Sequence, residues 1–150
     1  MNDEYFMRQA IALAKEAAEE GEVPVGAGAV FDGKIVGKGR NRREISKNAL
    51  AHAEIEAINE ACRALGGWRL WQCDIYVTLE PCPMCTGAII NSRIKRLVYG
   101  ASDYKAGSCG SVIDLFSLPY NHKPEVAKGV MQEECAALLS DFFKKLRKKL

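Results

Sequence analysis

Four side chains have the types and the spacing that a catalytic metal site needs. An HAE motif supplies an imidazole and a carboxylate, and a PCPMC motif that begins 29 residues later supplies two thiols three positions apart. One imidazole and two thiolates are zinc-type ligands, and three protein ligands leave the fourth tetrahedral position open for water. The carboxylate is then free to move protons for that water. The predicted zinc ligands are His52, Cys82 and Cys85, and the predicted proton carrier is Glu54.

Two simpler interpretations of the thiol pair are a structural zinc site and a redox motif. A structural site needs a fourth ligand, which His122 or Cys109 could supply. The redox interpretation does not explain why the chain also contains the HAE motif. The combined H-x-E…P-C-x-x-C spacing is instead the signature of zinc nucleobase deaminases, which favours hydrolytic deamination. In that reaction Glu54 takes a proton from water, passes it to a ring nitrogen and later protonates the leaving ammonia.

The HAE motif also predicts where its helix begins. In an ideal helix His52 and Glu54 would point about 200° apart, so they could not share a site in mid-helix. They can share one if His52 lies in the first turn and both side chains reach over the helix end. We expect both motifs at helix N-termini, where free amides and partial positive charge favour thiolates at Cys82 and Cys85.

Apolar periodicity predicts alternating helices and strands. Helices are predicted at residues 3–20, 49–65 and 83–92, near 112–116, and as an amphipathic C-terminal helix with an apolar stripe from Cys135 to Leu146. Strands are predicted at 23–31, 34–39, 74–79, 96–100 and 125–130, with a hairpin turn at Asp32-Gly33. Glycines in the first strand are expected to let another backbone or a ligand come close. The order predicts a single three-layer α/β domain over residues 1–150, with helices on both sheet faces.

The composition is that of an ordinary globular protein, with 48% hydrophobic and 27% charged residues. The first residues are acidic, unlike a signal peptide, and no apolar run reaches membrane-spanning length. We therefore expect a cytoplasmic protein with no membrane segment and no disulfides. The other four cysteines, Cys62, Cys73, Cys109 and Cys135, are expected to be buried thiols.

Positive charge is concentrated near one end of the chain. The net charge is +2, but residues 144–150 hold five basic residues, and the rest of the chain carries a net charge of −3. This tail is either a phosphate-binding element or a helix end whose cations are favoured by the helix dipole. Arg40, Arg42 and Arg43 form a second cluster near the expected pocket mouth, for which a solvated surface is the alternative.

Beyond these motifs, the chain resembles the bacterial tRNA-specific adenosine deaminases of the cytidine deaminase superfamily over about residues 4–147. The matching stretches are EVPVGA at 22–27, RN at 40–41, HAE at 52–54, TLEPCPMC at 78–85, SRI at 92–94, YGA at 99–101, NH at 121–122 and ECAALLSDFF at 134–143. Guanine and cytosine deaminases share the central motifs, and it is the region from residue 99 to 143 that favours the tRNA enzymes. Pro83 replaces the aliphatic residue often found there in tRNA enzymes, and this departure is a small point towards a free-base deaminase.

The resemblance implies a cytidine-deaminase-like three-layer α-β-α fold with a five-stranded mixed sheet. It implies conversion of adenosine to inosine at the wobble position of an arginine tRNA, with one zinc per subunit on His52, Cys82 and Cys85 and with Glu54 as proton shuttle. It also implies a homodimer that binds the anticodon stem-loop across both subunits. The substrate-binding residues it implies are Asn41 on the flipped nucleoside, Val25 on the base, and Asp103, Lys105, Asn121, His122 and Phe143 near the RNA.

Some of these residues could instead have a purely structural role. Asn41 could be a turn residue, Phe143 could belong to the core, and Asp103 could cap a loop. Two other functions also stay open: a guanine, cytosine or nucleoside deaminase, and a non-catalytic zinc-stabilised RNA-binding module. Glu54 and the open ligand position argue against the module, and the basic tail argues against the small-molecule enzyme.

Overall fold

The computed structural model describes residues 2–149, in which four α-helices cover the two faces of a five-stranded sheet. The helices are α1 (Asp3–Glu19), α2 (Ala53–Leu65), α3 (Pro83–Asn91) and α4 (Gln132–Lys148), and a 3₁₀ helix spans Leu115–Ser117. The strands are β1 (Gly26–Phe31), β2 (Lys34–Arg40), β3 (Asp74–Leu79), β4 (Arg96–Ala101) and β5 (Glu125–Lys128). The predicted order of elements is confirmed, and the differences lie in where they begin and end.

The sheet is mixed, with strand order β2-β1-β3-β4-β5. β1 pairs antiparallel with β2 and β3, whereas β4 lies parallel to β3 and β5. The predicted hairpin turn is confirmed, because Asp32 and Gly33 have φ values of 50° and 74°, as a type I′ turn requires. Parallel strands need a crossover, and α3 provides it between β3 and β4.

Successive strand residues point into two separate apolar clusters. Ile75 and Val77 of β3 pack with residues of α2 and α3, whereas Tyr76 between them packs with residues of α1 and α4. This alternation follows from the two-residue period of a strand. The chain therefore has the predicted three-layer α-β-α architecture, with the sheet as the middle layer.

Three glycines let helix backbones lie directly on the sheet. A Cβ atom at Gly26 would overlap a carbonyl oxygen of α1, and Cβ atoms at Gly37 and Gly39 would overlap carbonyl oxygens of α2. The expectation for the first strand is therefore confirmed at Gly26 but wrong at Gly28, where a Cβ would meet only a backbone oxygen at 3.9 Å. Gly39 has the greatest consequence for the site, because it seats the first turn of α2 against β2.

The helical piece predicted near residues 112–116 is a 3₁₀ helix at Leu115–Ser117, and two longer predicted helices also differ from the structure. α2 begins at Ala53 and not at residue 49, because residues 43–50 form turns and His52 has an extended backbone. In α4 only Cys135 is buried, while Phe143 and Leu146 at the other end of the predicted stripe are 41% and 45% exposed. The reason is that α4 packs on the sheet only through its first turns.

The six cysteines are free thiols, and three of the four outside the motifs are buried as expected, the exception being the half-buried Cys62. Within residues 2–149, no helix combines the length and the apolar composition needed to cross a membrane.

Candidate active site

The two motifs lie where loops enter the first turns of α2 and α3. His52 is the N-cap residue of α2 and Cys82 is the N-cap residue of α3, and both have extended backbones. Neither side chain makes a capping hydrogen bond, so both are free to turn away from their own helices. His52 and Glu54 line one pocket, which confirms that both side chains reach over the helix end.

Three donor atoms converge between these helix ends. His52 Nδ1 lies 3.6 Å from the Sγ atom of Cys82 and 3.6 Å from the Sγ atom of Cys85. Zinc–sulfur and zinc–nitrogen bonds of ordinary length, at a tetrahedral angle, separate the two atoms by about 3.6 Å. The donor set therefore fits a zinc ion in both chemistry and spacing.

No fourth protein ligand joins the group among the described residues. The two residues that could have closed a structural site are engaged elsewhere. Cys109 Sγ lies 3.4 Å from the hydroxyl of Thr86, and His122 Nε2 lies 2.7 Å from the carbonyl oxygen of Ile94. One tetrahedral position is left without a protein ligand, which is the arrangement of catalytic zinc sites.

The three donors shift one another's pKa values. A hydrogen bond with Cys85, assisted by one with His52, lowers the pKa of Cys82 to about 4, and the same Cys82–Cys85 contact raises the pKa of Cys85. The contact with Cys82 also raises the pKa of His52. Since metals bind thiolates, metal binding here would release a proton from Cys85.

Glu54 is a buried carboxyl group beside these donors. It is 4% exposed, and burial raises its pKa to about 7, with a smaller contribution from the charge of Cys82. A carboxyl group with a pKa near neutrality can take up and release a proton during one reaction cycle. This property suits a proton carrier and not a permanently charged structural group.

The donors open onto a pocket of about 210 Å³. Its walls come from residues 23–25 before β1, residues 41–43 after β2, the end of β3, and the turn at residues 103–106 after β4. Cavities for drug-sized ligands usually exceed about 300 Å³. The pocket therefore has the size for a single base, with any attached sugar and phosphate outside it. Of the predicted substrate-binding residues, it is Val25, Asn41 and Asp103 that line it.

The Asn41 side chain is held in one orientation. Its Nδ2 donates to the carbonyl oxygen of Val23 at 3.1 Å, and its Oδ1 accepts from the backbone N–H of Arg43 at 3.2 Å. A side-chain amide has two donor hydrogens and two acceptor lone pairs, so one of each stays available. Asn41 is thus a turn residue, as the structural alternative predicted. Its side-chain amide also presents a fixed donor and a fixed acceptor in the pocket wall.

Two buried carboxylates hold the loops of the pocket wall, and neither role was predicted from the sequence. Glu80 accepts hydrogen bonds from the backbone N–H groups of Asp103, Cys109 and Ser111. Glu22 accepts from two consecutive backbone N–H groups, at residues 44 and 45. The sequence signal for Glu80 was its position directly after an apolar strand, in TLEP, whereas Glu22 lies in the loop before β1 and has no such signal.

The remaining predicted RNA-contacting residues lie outside the pocket wall. Lys105 and Asn121 are exposed. His122 is half-buried and is held by the carbonyl oxygen of Ile94. Phe143 is 41% exposed and meets Phe142 edge-on at 5.4 Å, so the core alternative for Phe143 is wrong. Any contact of these residues with a substrate would lie beyond the reacting base.

Comparisons with known proteins show the family to which the chain belongs. The model of the MafB19-like deaminase family matches residues 1–147. The tRNA-specific adenosine deaminase of Bacillus subtilis is 50% identical over 98% of this chain and 92% of its own. That of Haemophilus influenzae is 49% identical over 97% of this chain and 85% of its own. A solved structure from work on A-to-I editing by tRNA:A34 deaminases at the wobble position of transfer RNA is 46% identical, with a TM-score of 0.87 over 90% of this chain and 99% of that chain.

Proposed function

Because the chain belongs to the tRNA-specific adenosine deaminases of the MafB19-like deaminase family, we propose that it hydrolyses adenosine to inosine at the wobble position of a tRNA. The observation that carries this proposal is the meeting of a three-donor metal site with the buried carboxyl group of Glu54 in one base-sized pocket. We assign the activity to a single zinc-dependent deaminase domain over residues 1–150, and an arginine tRNA as its substrate.

His52, Cys82 and Cys85 would hold one zinc ion per subunit, since their donor atoms have the spacing that zinc requires. When bound, zinc supplies a Lewis acid that makes water a nucleophile at neutral pH. The N-terminus of α3 contributes to binding, because its partial positive charge stabilises the thiolates of Cys82 and Cys85.

Glu54 moves the protons of the reaction. It accepts a proton from the attacking water and delivers it to the ring nitrogen beside the reacting carbon, C6 of adenine. The new C–O bond forms as the oxygen adds to that carbon. Glu54, ionised again, then takes the remaining proton from the added hydroxyl group and passes it to the amino group. The C–N bond breaks, the oxygen becomes the C6 carbonyl and ammonia leaves. Adenosine and water are thereby converted to inosine and ammonia.

The pocket wall positions the base. The fixed amide of Asn41 offers one donor and one acceptor to the flipped nucleoside, and Val25 packs against the ring. Asp103 uses Oδ1 to accept from two backbone N–H groups of its own turn, which leaves Oδ2 for a sugar hydroxyl or a base. A phosphate partner is unfavourable for this carboxylate because both groups are negative.

The substrate would be the anticodon stem-loop, because a wobble base is already unpaired and costs little to extrude. Outside the pocket, Lys105, Asn121, His122 and Phe143 would contact the rest of the loop. The exposed basic end of α4 would contact phosphates of the stem.

We also propose that the protein is a homodimer that works in the cytoplasm beside its tRNA. α3 supports the dimer, since it is the most apolar of the four helices and yet leaves Pro83 and Asn91 exposed, with open space beside Gly87. Light scattering of the purified protein would then give the mass of two chains, and a monomer at micromolar concentration would contradict the dimer.

One assay separates the three candidate functions. The zinc-loaded protein is incubated with an anticodon stem-loop RNA containing a wobble adenosine, and in parallel with free guanine, cytosine, cytidine and adenosine. Inosine in the RNA alone supports the proposal. Product from a free base or nucleoside, with none in the RNA, supports the small-molecule alternative. Absence of any product with one zinc per chain supports a non-catalytic module.

Replacing Glu54 tests the catalytic assignment. Glu54→Gln keeps the size of the side chain but cannot carry the proton, so we expect kcat to fall by at least about 10²–10⁴-fold. Zinc content by elemental analysis and the melting temperature should stay near those of the unchanged protein. A Glu54→Gln protein with full turnover would refute this role.

A further inference from the structure

Three arginines lie close together at the end of β2, and the first two are engaged with carboxylates. Arg40 pairs with Glu20 at 2.7 Å, and Arg42 pairs with Glu56 at 2.9 Å. Arg43, in contrast, has no carboxylate oxygen within 4.0 Å among residues 2–149. Two of the three charges are therefore neutralised within the fold, and the third is available to a ligand.

The backbone around Arg43 is fixed while its side chain is exposed. The N–H of Arg43 donates to Oδ1 of Asn41 at 3.2 Å, and the next two N–H groups donate to the buried carboxylate of Glu22. Arg43 as a whole is exposed to solvent. Because its backbone is already fixed, Arg43 loses less conformational entropy on binding a ligand than an arginine on a flexible loop would.

Arg43 also lies at the catalytic pocket. It belongs to the residues that line the pocket, together with Asn41, His52 and Glu54. The free cation is thus placed at the entrance and not on a remote surface.

The size of the pocket determines which part of a nucleotide Arg43 meets. A cavity of about 210 Å³ takes a base, so the sugar and its phosphates stay at the entrance. Guanidinium groups match phosphate oxygens in geometry and charge. Resting on the function proposed above, we propose that Arg43 binds a phosphate adjacent to the target adenosine and so positions a nucleic acid, and not a free base, for deamination.

The test uses Arg43→Gln, with Lys47→Gln as a matched control. Lys47 is an exposed cation in the same turn-rich segment and is not among the pocket-lining residues. Each protein is assayed on three stem-loop RNAs: one with all its phosphates charged, and two with an uncharged methylphosphonate on the 5′ or the 3′ side of the target adenosine. Melting temperatures establish that both variants are folded.

On the fully charged RNA, Arg43→Gln should raise KM by about 10-fold, the loss expected for one charge-assisted contact at an exposed site, with kcat within about twofold. The slope of log(kcat/KM) against log salt concentration should become shallower by about 1. Lys47→Gln should leave KM within about twofold. On one of the two methylphosphonate RNAs the effect of Arg43→Gln should disappear, which identifies the phosphate.

Three results would overturn the inference. An unchanged KM and salt slope for Arg43→Gln, with an unchanged protein that edits RNA, refutes the phosphate contact but leaves the proposed function intact. An equal loss on all three RNAs shows that Arg43 does not act through a neighbouring phosphate. Failure of the unchanged protein to edit any RNA refutes the proposed function, and the inference with it.

Discussion

Glu80→Gln is the smallest change that tests how the pocket wall is held. The carboxylate is 2% exposed and accepts hydrogen bonds from three backbone N–H groups and the Ser111 hydroxyl. An amide replaces one acceptor oxygen with an NH₂ group. Whichever way it is turned, at least one buried backbone N–H at residues 103, 109 or 111 loses its acceptor. An orphaned buried donor costs about 1–3 kcal/mol, and the remaining bonds are no longer charge-assisted.

We therefore expect Glu80→Gln to lose about 3 kcal/mol of unfolding free energy, or roughly 6–12 °C in melting temperature for a chain of this size. The loss should be concentrated in residues 102–111, where amide hydrogen exchange should accelerate. Because Asp103 lines the pocket, KM should rise as well. Glu44→Gln is the control, since this carboxylate is exposed and makes no side-chain hydrogen bond or ion pair among residues 2–149. A Glu80→Gln protein that melts within 1 °C of the unchanged protein, with normal exchange, would refute this account.

The stability loss in Glu80→Gln should also depend on pH. Burial alone would raise the pKa of Glu80, but the hydrogen bonds from Ser111, Asp103 and Cys109 hold it below its ordinary value. A carboxylate with a lowered folded-state pKa stabilises the fold above the unfolded value, about 4.3, and that contribution is lost as pH falls through the lower folded value. The stability difference between the unchanged protein and Glu80→Gln, measured by urea unfolding, should thus be constant above pH about 5.5 and shrink below pH about 4. A difference that grows as pH falls would contradict the assignment.

Two further substitutions test how the layers are joined. Gly39→Ala places a methyl group against the first turn of α2, so it should lower the free energy of unfolding by about 1–3 kcal/mol and weaken zinc retention. Gly67→Ala is the control and should do neither, because the space around Gly67 is open. Equal melting temperatures for the two variants would contradict the close packing at Gly39. Asp3→Asn removes the negative charge of a half-buried ion pair with Arg96, at 2.6 Å, and should cost about 1–2 kcal/mol in urea unfolding without changing KM. Glu4→Gln removes the charge of an exposed pair and should cost less than about 0.5 kcal/mol, so a larger loss for Glu4→Gln would contradict this ranking.

The sequence predicted the parts of this protein that depend on local chemistry. The donor types and spacing of the motifs led to the site, and the Asp32-Gly33 pair led to the hairpin, because each needs only a few adjacent residues. The start of α2 was placed four residues early, since periodicity does not show that the backbone N–H groups of residues 44 and 45 bind the distant carboxylate of Glu22. The exposure of Phe143 was not predictable either. Periodicity gives the apolar side of a helix but not whether another element covers it.

Glu54 and Glu80 show why the sequence alone could not assign roles to the acidic residues. Both are almost fully buried, at 4% and 2% exposure, yet burial raises the pKa of Glu54 to about 7 while hydrogen bonds keep that of Glu80 low. The two pKa values differ because the two carboxyl groups accept different hydrogen bonds. Glu80 receives donors from residues 23 to 31 positions away and is held as an anion, so it fixes the wall. Glu54 faces the pocket and the metal donors, so its two protonation states stay close in free energy. Of two equally buried carboxyl groups, only the one that can change its charge near neutral pH can carry the proton for a hydrolysis, and it is the folded arrangement of donors that separates them.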